Sequence, residues 1–383
     1  MTGPWIPFSK PHRARNELAY VEQVLASGHT HGDGPFTEQA TARLLEIVGA
    51  RAGLLTGSGT HALELAAWLL DLGPGDEVIV PSFTFSTTAA SIVATGATPV
   101  FVDVDPRTAS IDVGAVEAAV NPRTRAVSVV HYGGVAPDMD RLAEVAHRTG
   151  IAIVEDDAHG LGATWKGRAC GTFGVLAALS FHATKNVQCG EGGALLVNDP
   201  ALLARAEILR EKGTDRSRFL RGEVDKYTWV DRGSSYLLSE LSAAVLAAQL
   251  EEFDTVQAAR HSIWDRYAAA LTPWAAAIGG DVMSPPAGAG HPAHVFYVLA
   301  PSRAARGDLL DHLRGVGIGA TFHYMPLHSS AAGRRFGRTP FGCPVTEDIS
   351  ARMVRLPLWP DMTDADVDRV IAAVLAFTPA RIP

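Results

Sequence analysis

Between residue 53 and about residue 200 the chain alternates short apolar, β-rich runs with stretches whose apolar residues recur at helical spacing. The runs are "GLLTG", "EVIVP", "TPVFVDV", "AVSVVH", "IAIVE", "VLAALSF" and "GALLVND". Such alternation predicts an α/β fold, a mostly parallel sheet with helices on its faces. Between the first two runs, Leu63, Ala66, Ala67 and Leu70 form an i, i+3, i+4, i+7 stripe that predicts a helix opening directly after "TGSG". The last two runs stand only about a dozen residues apart, too few for a helical crossover, so they are expected to pair antiparallel.

After Asp199 a helical stretch gives way to the polar segment "EKGTDRSRFLRGEVDKYTWVDRGSS", a loop long enough to suggest a binding role. Ser239 to Leu271 then reads as one long helical pattern, opening with Ser and Glu, that links two units. "HVFYVLA", a helix around Arg303 to Gly315, "GATFHYMP" and a last helix around Thr363 to Phe377 predict a smaller α+β unit. The expected division is an N-terminal segment over 1–14, a large domain over 15–250 and a small C-terminal domain over 251–383.

Composition narrows the partners. A chain of 383 residues that is 47% hydrophobic has core material for two domains. A formal charge of −8 and the lack of any long Lys/Arg run argue against nucleic acid, which is held mainly by positive charge. An anionic ligand would need a local basic site. Cys170, Cys189 and Cys343 are scattered, without disulfide or zinc spacing. "HTHGDG", Gly28 to Gly34 in its setting, lacks a wider ligand set and reads as a glycine-rich loop near a dimer interface, so no metal is expected. No apolar run reaches the roughly 20 residues that span a bilayer, and the N-terminus has no continuous apolar signal region, so a soluble, cytoplasmic protein is expected.

Three stretches carry candidate chemistry. "IAIVE" runs into Glu155, Asp156 and Asp157, acids at the end of a parallel strand, where open α/β sheets bind ligands; such acids can equally cap a following helix. "TGSGT", Thr56 to Thr60, sets Gly57, Ser58 and Gly59 at a strand-to-helix turn whose free N–H groups suit a phosphate. It is neither a P-loop nor G-x-G-x-x-G, which leaves a nicotinamide cofactor poorly supported. In "LSFHATKNVQCGEGG", Lys185 leaves an apolar strand just before Gly190, Gly192 and Gly193. A phosphate-binding helix start, an acid at a strand end and a lysine on a later strand exit are together what pyridoxal 5′-phosphate (PLP) chemistry requires: an anchor, a partner for the pyridine nitrogen and a Schiff-base amine.

Over nearly its whole length the chain resembles the DegT/DnrJ/EryC1/StrS sugar aminotransferases, in "VEDDAHGLGATWKGRACGTFG" and "SFHATKN…GEGGAL" above all. The resemblance implies the fold type I arrangement of PLP enzymes, aspartate aminotransferase-like. It implies Lys185 as the Schiff-base lysine and Asp156 as partner of the pyridine nitrogen. His159 stands where the family commonly has Gln, beside the cofactor's phenolic oxygen. Ser180, Gly59 and Thr60 match phosphate contacts, and Phe85 matches an aromatic that stacks on the ring; a core aromatic is the alternative. Ser235 replaces an Asn that in many members reaches the neighbouring subunit's cofactor phosphate. The segment still implies a homodimer with shared active sites.

Several segments, "FLRGEVDKYTW" most distinctively, are similar to dTDP-4-keto-6-deoxyglucose 4-aminotransferases. The resemblance implies L-glutamate as amino donor and a dTDP-keto-sugar as acceptor. Arg218, Arg221 and Lys226 offer positive charge for a nucleotide diphosphate, Tyr227 a surface for sugar or base, and His323 and Tyr324 match a segment near the site. Surface ion pairs and an ordinary strand histidine are the competing readings. A 3-keto-sugar or cyclitol aminotransferase is the alternative function, a non-catalytic PLP-fold sensor the remote one.

Overall fold

All seven apolar runs form strands of one sheet. Across it they lie in the order Ala52–Thr56, Gly193–Val197, Leu176–Ser180, Ala152–Asp156, Thr124–Val130, Glu77–Pro81 and Thr98–Val102. In this computed structural model residues 3–379 are described; residues 1–2 and 380–383, the ends of the expected N- and C-terminal units, lie outside the described residues. Strand Gly193–Val197 pairs antiparallel with both neighbours, and every other pairing is parallel. The parallel strands are buried on both faces, which is why they read as continuous apolar runs rather than alternating ones. Their C-terminal ends all open onto one edge, and the loops leaving that edge carry the candidate residues.

Helix Gly59–Leu69 follows the first strand as expected, with Ser58 as its N-cap: the Ser58 hydroxyl accepts a hydrogen bond from His61 N at 3.1 Å. The single long helix expected over Ser239 to Leu271 is instead two, Glu240–Glu251 and Phe253–Ala277. No Gly or Pro marks the break. Glu252 sits at it with its carboxylate tied to the N-terminal segment, accepting from Arg15 N at 2.9 Å and meeting His12 Nε2 at 3.0 Å. Tertiary contacts, not local propensity, set that joint.

The C-terminal part builds a three-stranded antiparallel sheet, Asp281–Val282, Tyr297–Leu299 and Met353–Arg355, flanked by helices Arg303–Gly315 and Asp364–Leu375. "GATFHYMP" forms no strand. Only Thr321 pairs, in an isolated bridge to Arg355. The core of this part, around Tyr267, Phe296 and Leu309, runs on into Phe83 and Tyr132 from the large sheet and Ile6 from the N-terminus. Residues from both ends of the chain therefore reach the same edge of the large sheet.

Candidate active site

A cavity of about 550 Å³ opens at the C-terminal edge of the parallel strands. Lys185, Asp156, Ser180, Gly59, Thr60, Phe85, His159, His323 and Tyr324 all line it, so nine sequence-derived candidates converge on one space. The first seven converge because each lies on a segment leaving the large sheet at the same edge, and His323 and Tyr324 reach that edge from the C-terminal part.

The turn at Gly59 is built by close packing. A Cβ on Gly59 would lie 3.0 Å from Ser180 Cβ, and one on Gly193 would lie 2.4 Å from Ser58 C and 2.5 Å from Gly59 N. Only a bare backbone at Gly193 lets the helix start settle against the neighbouring strand. Gly193 thus shapes the turn on which Ser58, Gly59 and Thr60 face the cavity.

Asp156 ends its strand almost fully buried. Thr88 Oγ1 donates to its Oδ2 at 2.6 Å and Ala158 N donates to its Oδ1 at 3.3 Å. Burial raises its pKa despite the Thr88 hydrogen bond, the state of a carboxylate short of a cationic partner. The neighbouring acids do other work. Glu155 accepts from Gly171 N, Phe173 N and Gly174 N, each at 2.7 Å, and from His131, pinning a loop. Asp157 turns into the core, where it, His131 and Cys170 place one ligand atom each within 4.8 Å of one another, off the cavity. No helix follows directly, so none of the three is a cap.

Lys185 is half-buried, and burial pulls its pKa from 10.5 down to about 8, with Asp156 opposing and Arg355 adding repulsion. His159 is neutral, because burial and then Lys185 hold its pKa well below 6.5. Gly133 N donates to its Nδ1 at 3.2 Å; that nitrogen therefore carries the lone pair and Nε2 the proton. Phe85 is 57% exposed on the cavity wall, which removes the core-aromatic reading; the core aromatic of that segment is Phe83.

Other candidates lie elsewhere in the chain. Arg218 pairs with Glu223 at 3.3 Å, and Arg221 with Glu207 at 2.9 Å and Glu223 at 2.7 Å. Arg218, Arg221, Lys226, Tyr227 and Ser235 are exposed and line no part of the cavity. In "HTHGDG", His29 stacks on His31 and Asp33 takes Arg210 at 2.7 Å. Arg260, Arg355, Thr88 and Tyr132 join the site unannounced. Arg355 had a signal, a lone charge inside the apolar "MVRLPLW".

The family model "DegT/DnrJ/EryC1/StrS aminotransferase family" matches residues 11–375. The chain belongs to that family. Among solved structures, the aminotransferase TlmJ from Streptoalloteichus hindustanus is 33% identical at a TM-score of 0.89, covering 97% of this chain and 98% of its own. The PLP form of Spr1654 from Streptococcus pneumoniae, assigned as a sugar aminotransferase, is 27% identical at 0.88, covering 97% of each chain. The 3-amino-5-hydroxybenzoic acid synthase is 30% identical at 0.87, covering 97% and 98%. As a DegT-family protein the chain is a PLP-dependent sugar aminotransferase of fold type I, taking a sugar substrate and an amino donor. The residues fit the cofactor: a helix start cradled by bare backbone suits its phosphate, and a buried carboxylate lacking a cation suits its ring nitrogen. Among the described residues no helix is long and apolar enough to cross a membrane.

Proposed function

We propose that this enzyme transfers the amino group of L-glutamate to C4 of a dTDP-4-keto-6-deoxyhexose, giving the 4-amino-4,6-dideoxy sugar. The convergence of Lys185, Asp156 and Ser180 on one cavity supports amino transfer. The distinctive "FLRGEVDKYTW" loop supports the nucleotide-sugar acceptor. PLP supplies an electrophilic carbon for the donor nitrogen and an electron sink for the charge left when a proton departs. Lys185, neutral in a useful fraction near pH 7, acts as nucleophile and then as the base that holds the moving proton at Nζ. Asp156, kept in place by Thr88, holds the proton on the ring nitrogen. His159 offers its Nε2–H to the phenolic oxygen. Gly59, Thr60 and Ser180 hold the phosphate, and Phe85 covers the ring.

Arg218, Arg221, Lys226, Tyr227 and Ser235, exposed on this chain, serve the partner's site in a homodimer. On this reading residues 15–250 form the cofactor-binding domain and 251–383 the smaller one, after the segment 1–14. The enzyme works in the cytoplasm. A cyclitol or related ring ketone is the second reading, favoured by the likeness to 3-amino-5-hydroxybenzoic acid synthase. Incubation with L-glutamate and dTDP-4-keto-6-deoxyglucose should release 2-oxoglutarate and place nitrogen at C4 by NMR. Nitrogen at C3, or turnover of a cyclitol ketone alone, would overturn the assignment, and light scattering tests the dimer.

A further inference from the structure

Away from the cavity, three buried side chains from separate segments meet at one point. His131 follows strand Thr124–Val130, Asp157 follows strand Ala152–Asp156, and Cys170 follows the short strand Arg168–Ala169. His131 is fully buried, Asp157 is 1% exposed and Cys170 2%. A ring nitrogen of His131, a carboxylate oxygen of Asp157 and Cys170 Sγ all lie within 4.8 Å of one another. Yet the groups are unused: both oxygens of Asp157 and Nδ1 of His131 lack a hydrogen-bond partner among the described residues, and Cys170 is a free thiol.

Glu155 prepares this set. A carboxylate only accepts, so His131 Nε2 donates to Glu155 Oε2 at 2.8 Å, and Nδ1 of the neutral ring keeps its lone pair. A carboxylate behind the far nitrogen is the arrangement that orients a metal-binding histidine. The same Glu155 accepts from Gly171 N at 2.7 Å and so fixes the loop next to Cys170. The backbones of the other two are held as well: Asp157 N donates to Ala178 O and Cys170 N to Ala163 O, each at 2.9 Å. Bare backbone makes room for the Asp157 carboxylate, since a Cβ on Gly160 would overlap its Oδ1 and one on Gly171 would lie 3.3 Å from its Oδ2. Of the three consecutive acids, Glu155 and Asp156 have hydrogen bonds to their oxygens, and Asp157 alone has none. A buried carboxylate left in that state is costly unless a cation joins it.

We propose that His131, Asp157 and Cys170 form a zinc site that ties the strand end bearing Asp156 to the loop bearing Cys170. An imidazole nitrogen, a carboxylate and a thiolate are the mixed N, O and S donors that zinc takes. The second oxygen of Asp157 supplies a fourth donor atom. Binding releases the thiol proton, and the carboxylate and thiolate then match the charge of a dication, so the ion and its ligands are buried with no net charge. Magnesium and calcium, which take oxygen ligands, are poorly served by this set. None of the three residues lines the cavity, so the ion is structural and takes no part in amino transfer. The ligands come from three segments with no compact zinc spacing, which is why the sequence gives no sign of the site. The inference is independent of which ketone the enzyme aminates.

The test uses untagged, PLP-loaded wild type, Cys170→Ala and Asp157→Asn, expressed with added zinc because so buried a site fills as the chain folds. Metal analysis after exhaustive dialysis should find close to one zinc per wild-type chain. X-ray absorption at the zinc edge should show one sulfur neighbour at about 2.3 Å and nitrogen or oxygen neighbours at about 2.0–2.2 Å. In equilibrium competition with a chromophoric chelator, each variant should hold zinc on the order of 100-fold less tightly than wild type. Wild type expressed with added magnesium or calcium in place of zinc should retain neither. The cofactor's absorbance band reports that a variant has folded; should either fail to load PLP, the zinc-edge spectrum of wild type decides alone. The proposal is overturned if wild type leaves dialysis without zinc, if its zinc has no sulfur neighbour, or if a folded variant holds zinc as tightly as wild type.

Discussion

In cofactor-free protein Lys185 should titrate near 8 instead of 10.5. Burial destabilises its ammonium form, Asp156 offsets part of that, and Arg355 adds repulsion. The difference is about 3 kcal/mol against the charged state. At pH 7 roughly one amine in ten is then neutral, against roughly one in 3,000 for an exposed lysine, so about 300-fold more of the amine is in the form that captures a carbonyl, and capture should be faster than for an exposed lysine. The assay is the initial rate of adduct formation with pyridoxal, trapped by borohydride, across a pH series. The rate should climb about tenfold per pH unit up to pH ~8 and then level off. A rate that keeps climbing to pH ~10, or that matches a free lysine derivative at pH 7, refutes the reasoning. Stability gives an independent sign. The unfolded chain binds the proton more tightly, so Lys185 penalises the fold fully below about pH 8 and progressively less as pH rises to 10.5. Lys185→Met should therefore stabilise the cofactor-free protein most below pH 8, with the gain fading toward 10.5.

Other consequences are as specific. Thr88→Val removes the donor to Asp156 and should raise that carboxyl's proton affinity further, moving the acid limb of kcat, where activity falls with falling pH, to higher pH. Gly193→Ala drives a methyl into Ser58 and Gly59 and should weaken PLP binding by roughly 1–3 kcal/mol in an equilibrium titration. Glu240 is buried and accepts from Gly34 N, Phe36 N and Thr37 N at 2.9–3.0 Å. Glu240→Ala strands those donors and should cost roughly 3 kcal/mol or more in urea unfolding, with little direct effect on the chemistry.

The sheet was legible because parallel strands buried on both faces leave unbroken apolar runs, as "EVIVP" does, and the antiparallel return followed from the short connection alone. The helix break at Glu252 left no local mark, since its cause is a contact with His12 and Arg15 more than 230 positions away in sequence. "GATFHYMP" has the composition of a strand, but only Thr321 finds a partner. In the site, motif residues on the large sheet were readable from order and spacing. Arg355 showed only as a lone charge inside the apolar "MVRLPLW", because what distinguishes it is a buried Nε without a partner in three dimensions. The protonation of His159 was equally hidden until Gly133 N fixed which nitrogen carries the lone pair.

Phe8 lies on the cavity wall under Arg355, and Ile6 bridges to Ile318. Elongation at ~5–20 residues per second puts roughly 15–70 s between the synthesis of Phe8 and that of Arg355. On the ribosome the first residues must therefore wait, exposed and unpaired, while the large sheet assembles ahead of them. The pocket closes only when the last tenth of the chain emerges, so a nascent enzyme is a finished scaffold long before it has a complete binding site.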